Sequence, residues 1–175
     1  MNLTHSTLSP WAPLAFPLQI SAGCERREKM LVFEFRMEDP ESRLLDIGAE
    51  GKWSTWPRGD DLWRTTCCEA FWGTPGQPGY FELNLSPHQK RWNLYRFDEY
   101  RKPQPPCRDE SFSIAAIEAG HDFLRCQLLS ESVLRPVEMS LTVVAKHAAG
   151  VAYFALRHAG SKADFHLRSS FVLEV

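Results

Sequence analysis

Apolar and polar side chains alternate along most of this chain with a period of two rather than 3.6. In Leu31-Val32-Phe33-Glu34-Phe35-Arg36, Leu31, Phe33 and Phe35 share one face while Val32, Glu34 and Arg36 take the other. Cys67–Trp72 and Tyr80–Leu85 read as strands flanking Gly73-Thr74-Pro75-Gly76-Gln77-Pro78-Gly79, whose turn residues predict a hairpin loop. Further strand runs cover 91–97, 112–119, 123–129, 137–146 and 151–157, with a shorter candidate at 44–47 and a closing segment at 171–175. No amphipathic stretch is long enough for a substantial helix. The pattern predicts an all-β chain, an antiparallel β-sandwich or jelly roll of about ten strands. Residues 1–14, interrupted by Pro10 and Pro13, are expected to be irregular, and 101–108, with Pro103, Pro105 and Pro106, to be a loop.

Composition narrows the picture without naming a function. The 175 residues suit one domain spanning 1–175, and a chain of this size buries a core without staples. Twenty Lys plus Arg against 22 Asp plus Glu, a net charge of −2, argues against nucleic acid as a partner. No apolar run is long enough to span a membrane, so no membrane partner is expected either. The five cysteines are odd in number, and Cys67 and Cys68, as strand neighbours, must face opposite ways. A reducing compartment follows. No positive segment precedes the apolar opening, which three prolines break before residue 18, so a cytoplasmic location is expected.

Motifs for nucleotide binding, zinc proteolysis and serine-nucleophile chemistry do not occur. Three polar-interrupted stretches carry the candidate chemistry instead: 60–72, 80–100 and 158–166. On 80–85, Phe81, Leu83 and Leu85 share one face and Tyr80, Glu82 and Asn84 the other. If Arg96 lies on the face of Glu82 and Asn84, a carboxylate, an amide and a guanidinium meet there. With an aromatic ring such as Trp63 alongside, that is the equipment of a sugar site, since the ring covers the C–H face and polar groups take the hydroxyls. A solvated face with cross-strand ion pairs is the plain alternative. In the third stretch, Asp164 and His166 would share one side of an extended segment, which with Lys162 outlines an acid–base arrangement for an enzyme. A protein partner meeting the aromatic positions is another reading.

Leu62-Trp63-Arg64-Thr65-Thr66-Cys67-Cys68-Glu69-Ala70-Phe71, followed by Tyr80-Phe81-Glu82-Leu83-Asn84-Leu85-Ser86-Pro87, resembles the DOMON-like superfamily, which includes the family 9 carbohydrate-binding modules. The 92–100 and 162–166 segments resemble a bacterial branch of single-domain members. The resemblance implies a β-sandwich that binds a small molecule, a sugar or similar polyol, without catalysis. It implies that Trp63 stacks on the sugar and Glu69 binds hydroxyls. The relatives also use a second Trp late in the chain; all six Trp here lie at or before residue 92, so Phe165, His166 or Phe171 would have to substitute. Some relatives bind haem through Met and His, but no matching pair occurs here, and no cofactor or metal is called for. The expected ligand set is Trp63, Arg64, Glu69, Glu82, Asn84, Arg96 and Tyr100, with Lys162, Asp164 and His166 at the rim.

Overall fold

Strands that are apolar on one face need a second layer to cover that face, and this chain supplies it by folding two sheets together. A computed structural model describes residues 3–45, 47–48 and 50–175. Its strands are β1 Ser6–Pro10, β2 Gln19–Arg27, β3 Met30–Glu38, β4 Gly51–Trp53, β5 Cys67–Gly73, β6 Tyr80–Ser86, β7 Arg91–Phe97, β8 Cys107–Arg108, β9 Phe112–Ala119, β10 Phe123–Ser130, β11 Glu138–His147, β12 Gly150–Ala155 and β13 Leu173–Glu174. All pair antiparallel. The first sheet runs β4-β9-β10-β3-β2-β1 and the second β12-β11-β5-β6-β7-β8, with β13 on the start of β11. Helical structure among the described residues is limited to single 3-10 turns at Leu62–Arg64 and Arg168–Ser170. Among the described residues no helix is long and apolar enough to cross a membrane.

β1 joins the two sheets. Its residues 6–8 pair with β2 and its residues 9–10 with β12, so one strand turns the corner of the sandwich. This corrects the irregular reading of 1–14: Leu8, buried at the centre of β1, is a single apolar position between polar neighbours, too little to register as alternation. Glycine at 23 lets the N-terminal segment lie against β2, since a Cβ there would stand 2.4 Å from the Thr4 carbonyl oxygen. The candidate strand at 44–47 reduces to a bridge between Leu44 and His147, with Asp46 outside the described residues.

The sandwich core takes Leu31, Phe33 and Phe35 from one sheet and Ala70, Trp72, Leu83, Leu94 and Leu141 from the other. Trp72 is its hub, with ring centroids 5.4 Å from Phe81, 5.7 Å from Phe112 and 5.9 Å from Phe33. Cys68 lies in this core and Cys67 on the opposite face of β5, as strand neighbours must. All five cysteines are free.

Truncating Trp72 to Ala opens a void that this packing cannot close, and should lower unfolding free energy by about 3–5 kcal/mol. Urea denaturation measures it; a loss under about 1 kcal/mol would show that the core is not organised around this ring.

Candidate functional site

The outer face of the second sheet carries polar residues, as alternation requires, but they do not face water. On β5 the outward positions are Cys67, Glu69 and Phe71, on β6 Tyr80, Glu82 and Asn84, and on β7 Asn93, Tyr95 and Phe97. Register sets Glu69 opposite Asn84 and Thr142, Glu82 opposite Tyr95, and Asn84 opposite Asn93. Three segments cover this face: the turn at Leu62–Arg64, the loop 98–106 and the C-terminal stretch 158–171. A second apolar cluster holds the last of these down, with Phe165 and Phe171 packed on Phe71, Tyr80 and Phe97. Tyr80 stacks on Phe97 at 4.8 Å and meets Phe171 edge-on at 5.8 Å.

Between sheet and cover lies a pocket of about 650 Å³. Glu69, Phe71, Glu82 and Asn84 lie on its sheet side. Tyr95, Asp60 and Arg108 form one wall, Arg101 with Gln104 another, and Asp164, Phe165 and His166 a third. Tyr153 and the exposed ring of Trp63 complete the rim. A smaller hollow of about 240 Å³ lies over β4, β9 and β10, lined by Lys52, Glu118, Arg125 and Gln127.

The two carboxyl groups set the electrostatics. Asn84 donates its amide to Glu82 Oε1 at 2.8 Å, and Thr142 donates its hydroxyl to Glu69 Oε2 at 3.3 Å. Burial pushes the Glu69 carboxyl well above the usual carboxylate range, and the neighbouring Glu82 charge adds to this. Burial likewise lifts Glu82 to about 7, although Asn84 and the Arg101 charge pull the other way. The Glu69 carboxyl is therefore shifted toward its protonated form, and Glu82 titrates near neutrality.

The cover carries its own network. Burial would raise the Asp164 carboxyl, but the Tyr100 hydroxyl at 2.6 Å, the His166 backbone N–H at 3.1 Å and the Arg101 guanidinium at 3.0 Å together hold it low. The Arg101 backbone N–H donates to the Tyr80 hydroxyl oxygen at 3.0 Å, and the same hydroxyl shares a hydrogen bond with His166 Nδ1 at 2.9 Å. His166 Nε2 lies 3.9 Å from Glu82 Oε2. Burial, joined by the Arg101 charge, depresses His166 to about 4. Asp60 accepts from Tyr95 at 2.7 Å and pairs with Arg108. Among the described residues no three His, Cys, Asp or Glu side chains are grouped to hold a metal ion.

Of the ten residues expected at a ligand site, Trp63, Glu69, Glu82, Asn84, Asp164 and His166 line this pocket. Four do not. Arg96 is opposite Phe81 in register, so it has the parity of the core-facing residues and points away from Glu82, reaching Asp98 at 3.8 Å. Arg64 packs over the Trp63 ring at 5.3 Å and pairs with Asp61. Tyr100 acts through Asp164 without reaching the cavity, and Lys162 is exposed outside it. The acid–base pairing expected of Asp164 and His166 does not form either. Residues 158–166 are not a strand, and Asp164 accepts from the His166 backbone rather than its ring. Arg101 takes the place foreseen for Arg96, from a loop position with φ of 53° that no periodicity marks. Tyr95 was legible: it has the outward parity opposite Glu82 once β6 and β7 are paired. Tyr153, Asp60 and Arg108 carried no comparable signal.

No protein-family model and no curated protein matches the chain. Solved structures similar to it include a proposed carbohydrate-binding protein from Bacteroides uniformis, at TM-score 0.66 and 8% identity over 97% of this chain and 84% of that one. A family 9 carbohydrate-binding module from Caldicellulosiruptor kristjanssonii in complex with cellotriose matches at TM-score 0.54 and 12% identity, covering 98% and 80%. A family 9 module from the same organism in complex with glucose matches at 0.51 and 11%, covering 91% and 76%. The shared feature is the fold.

The carboxyl burial has a thermodynamic signature. Glu82 titrates near 7 when folded, above its ordinary 4.5, so the folded state holds that proton more tightly. The stability this contributes is present below the ordinary value and is lost as pH rises through about 7. Glu82→Gln removes the loss, while the opposite contributions of Asp164 and His166 are common to both proteins. Relative to wild type, the variant should gain a few kcal/mol, on the order of 3, between about pH 5 and about pH 8. Paired denaturation curves read this directly; a constant difference would mean Glu82 titrates as an ordinary surface carboxylate.

Proposed function

We propose that this chain is a non-catalytic binding domain for a small sugar or similar polyol, held in the pocket on the outer face of the second sheet. One observation carries the reading: buried donors and acceptors on rigid strands open into a ring-lined pocket of about 650 Å³, within the range of small-molecule sites. Sugars present apolar C–H faces and dense hydroxyls, and the site offers a counterpart to each. Trp63 stands 53% exposed at the rim, a ring on which a pyranose can stack in place of Arg64. The Glu69 and Glu82 carboxyl groups and the Asn84 amide offer donors and acceptors to hydroxyls. The similar folds that hold cellotriose and glucose support the reading, and so does the resemblance of the 62–71 and 80–87 segments to DOMON-like proteins. Burial pushes the thiols of Cys67, Cys68 and Cys126 up, which fits idle cysteines in a reducing, cytoplasmic setting.

Asp164 is held by Arg101 and Tyr100, and His166 Nδ1 by Tyr80, so the two side chains do not form the base-and-orienter pair that acid–base catalysis by this stretch would need. This favours binding over turnover.

Titration with glucose and cellobiose, followed by intrinsic fluorescence, should give saturable binding. Trp63→Ala should weaken it about tenfold or more, because stacking contributes on the order of 1 kcal/mol beyond buried area. The melting temperature should stay unchanged, since the ring is exposed. Both sugars should be recovered intact after long incubation. A flat titration, a Trp63→Ala variant of full affinity, or hydrolysed cellobiose would each contradict the proposal.

A further inference from the structure

Two other buried carboxylates in this chain come with their own cations, and a third, Asp109, is held by the backbone N–H and hydroxyl of Ser111. Glu34, 1% exposed on the outer face of the first sheet, accepts from Arg125 Nε at 2.6 Å and lies 2.7 Å from Arg36. Asp164 has Arg101 at 3.0 Å, and at the rim Asp60 has Arg108 and Asp61 has Arg64. Glu69 and Glu82 differ from the buried three. They are 3% and 8% exposed, face the same cavity, and have no Lys or Arg within ion-pairing distance among the described residues. Glu82 Oε1 takes the Asn84 amide, but Oε2 receives no hydrogen bond; its nearest neighbour of note is His166 Nε2 at 3.9 Å, on an imidazole that stays neutral above about pH 4. A carboxylate buried in this way and aimed into a cavity, with Arg101 acting on it only from its own pairing with Asp164, is open to a further partner.

We propose that the ligand supplies it: the pocket is built for a sugar or polyol carrying an ammonium group, whose nitrogen sits against Glu82 Oε2 with Glu69 beside it. The proposal rests on the sugar-binding reading of the same pocket and narrows its ligand class to amino sugars and amino polyols. An ammonium brings three N–H donors to an acceptor that has none, and a charge to a group that otherwise avoids ionisation by holding a proton. The rings of Phe71, Tyr95 and Tyr153 around the cavity add cation–π attraction. A neutral sugar makes hydrogen bonds to the same groups but leaves their charge uncompensated.

Binding an ammonium also moves a proton. Glu82 titrates near 7 in the free protein, so part of the population is protonated just below neutrality. The bound cation favours the carboxylate, and the proton leaves for the buffer. The other groups facing Glu82 are Glu69, His166, Arg101 and Tyr95. Among these, His166 is already neutral, Arg101 is paired with Asp164 and burial pushes Tyr95 up, so the released proton comes from the carboxyl pair.

Calorimetry on the full chain at about pH 6, in two buffers of different ionisation enthalpy, tests this with glucosamine, glucose and N-acetylglucosamine as probes. Glucosamine should bind about tenfold or more tighter than either neutral sugar, as a hydrogen bond to a charged group implies. Its binding should release protons, and glucose binding should release none. Glu82→Gln should bring the glucosamine-to-glucose ratio toward one; the wild-type proton release decides the matter even if that variant does not fold. Glucose binding without a glucosamine advantage, or glucosamine binding without proton release, would overturn the ammonium assignment and leave the sugar-binding proposal standing. Silence from all three probes would overturn both.

Discussion

Two carboxyl groups are kept out of water on the outer face of a sheet, and most of the site follows from what that requires. An antiparallel sheet with one face in a core ordinarily leaves its other face to solvent, where Glu and Asn need no special provision. Here Glu69, Glu82 and Asn84 lie on that outer face yet are almost wholly buried. Withdrawing them from water is tolerable only where hydrogen bonds are supplied or the charge is given up. Both occur. Asn84 and Thr142 provide bonds from adjacent strand positions, and burial shifts Glu69 toward its neutral form.

The cover that buries these groups stays in place through its own apolar contacts. Phe165 and Phe171 press onto Phe71 and Tyr80, and Arg168 lies over the Phe171 ring at 4.6 Å while meeting Glu138 at 3.2 Å. The same stretch contributes Asp164 and His166, which tie to Tyr100, Arg101 and Tyr80 across the gap. Packing thus sets the height of the cover above the sheet, and polar contacts set its position along it. What lies between them is a cavity with fixed donors, acceptors and rings, preorganised in the sense that makes selective binding of a small molecule feasible.

The architecture was legible in the sequence wherever alternation ran for six or more residues. β3, β5, β6, β7, β9, β10, β11 and β12 lie within a residue or two of the runs that announce them. Weakly patterned strands were not legible: β1 has one buried side chain, β4 has three residues, and the nine-residue β2 sets Ile20 and Ala22 in the core among Ser, Gly, Cys and Arg. The candidate site divides along the same line. Glu82 and Asn84 could be read from parity on β6, and Trp63 and Glu69 from the resemblance. Arg96 failed because parity within one strand does not say which face a neighbouring strand shares; that depends on register, which sets Arg96 against Phe81. Arg101 and Asp60 sit on loops, where no period constrains direction, so only the folded chain brings them to the cavity.

The central claim is that the outer face of the second sheet, under the C-terminal cover, is where this protein meets a small molecule. Backbone amide chemical shifts recorded during titration of the labelled chain with glucosamine or glucose test it most directly. Shifts that saturate together at residues 60–64, 82–84, 100–102, 104 and 163–166 are the expected result. Shifts confined to the hollow between Lys52, Glu118 and Arg125 on the other sheet, or none at saturating sugar, would contradict it.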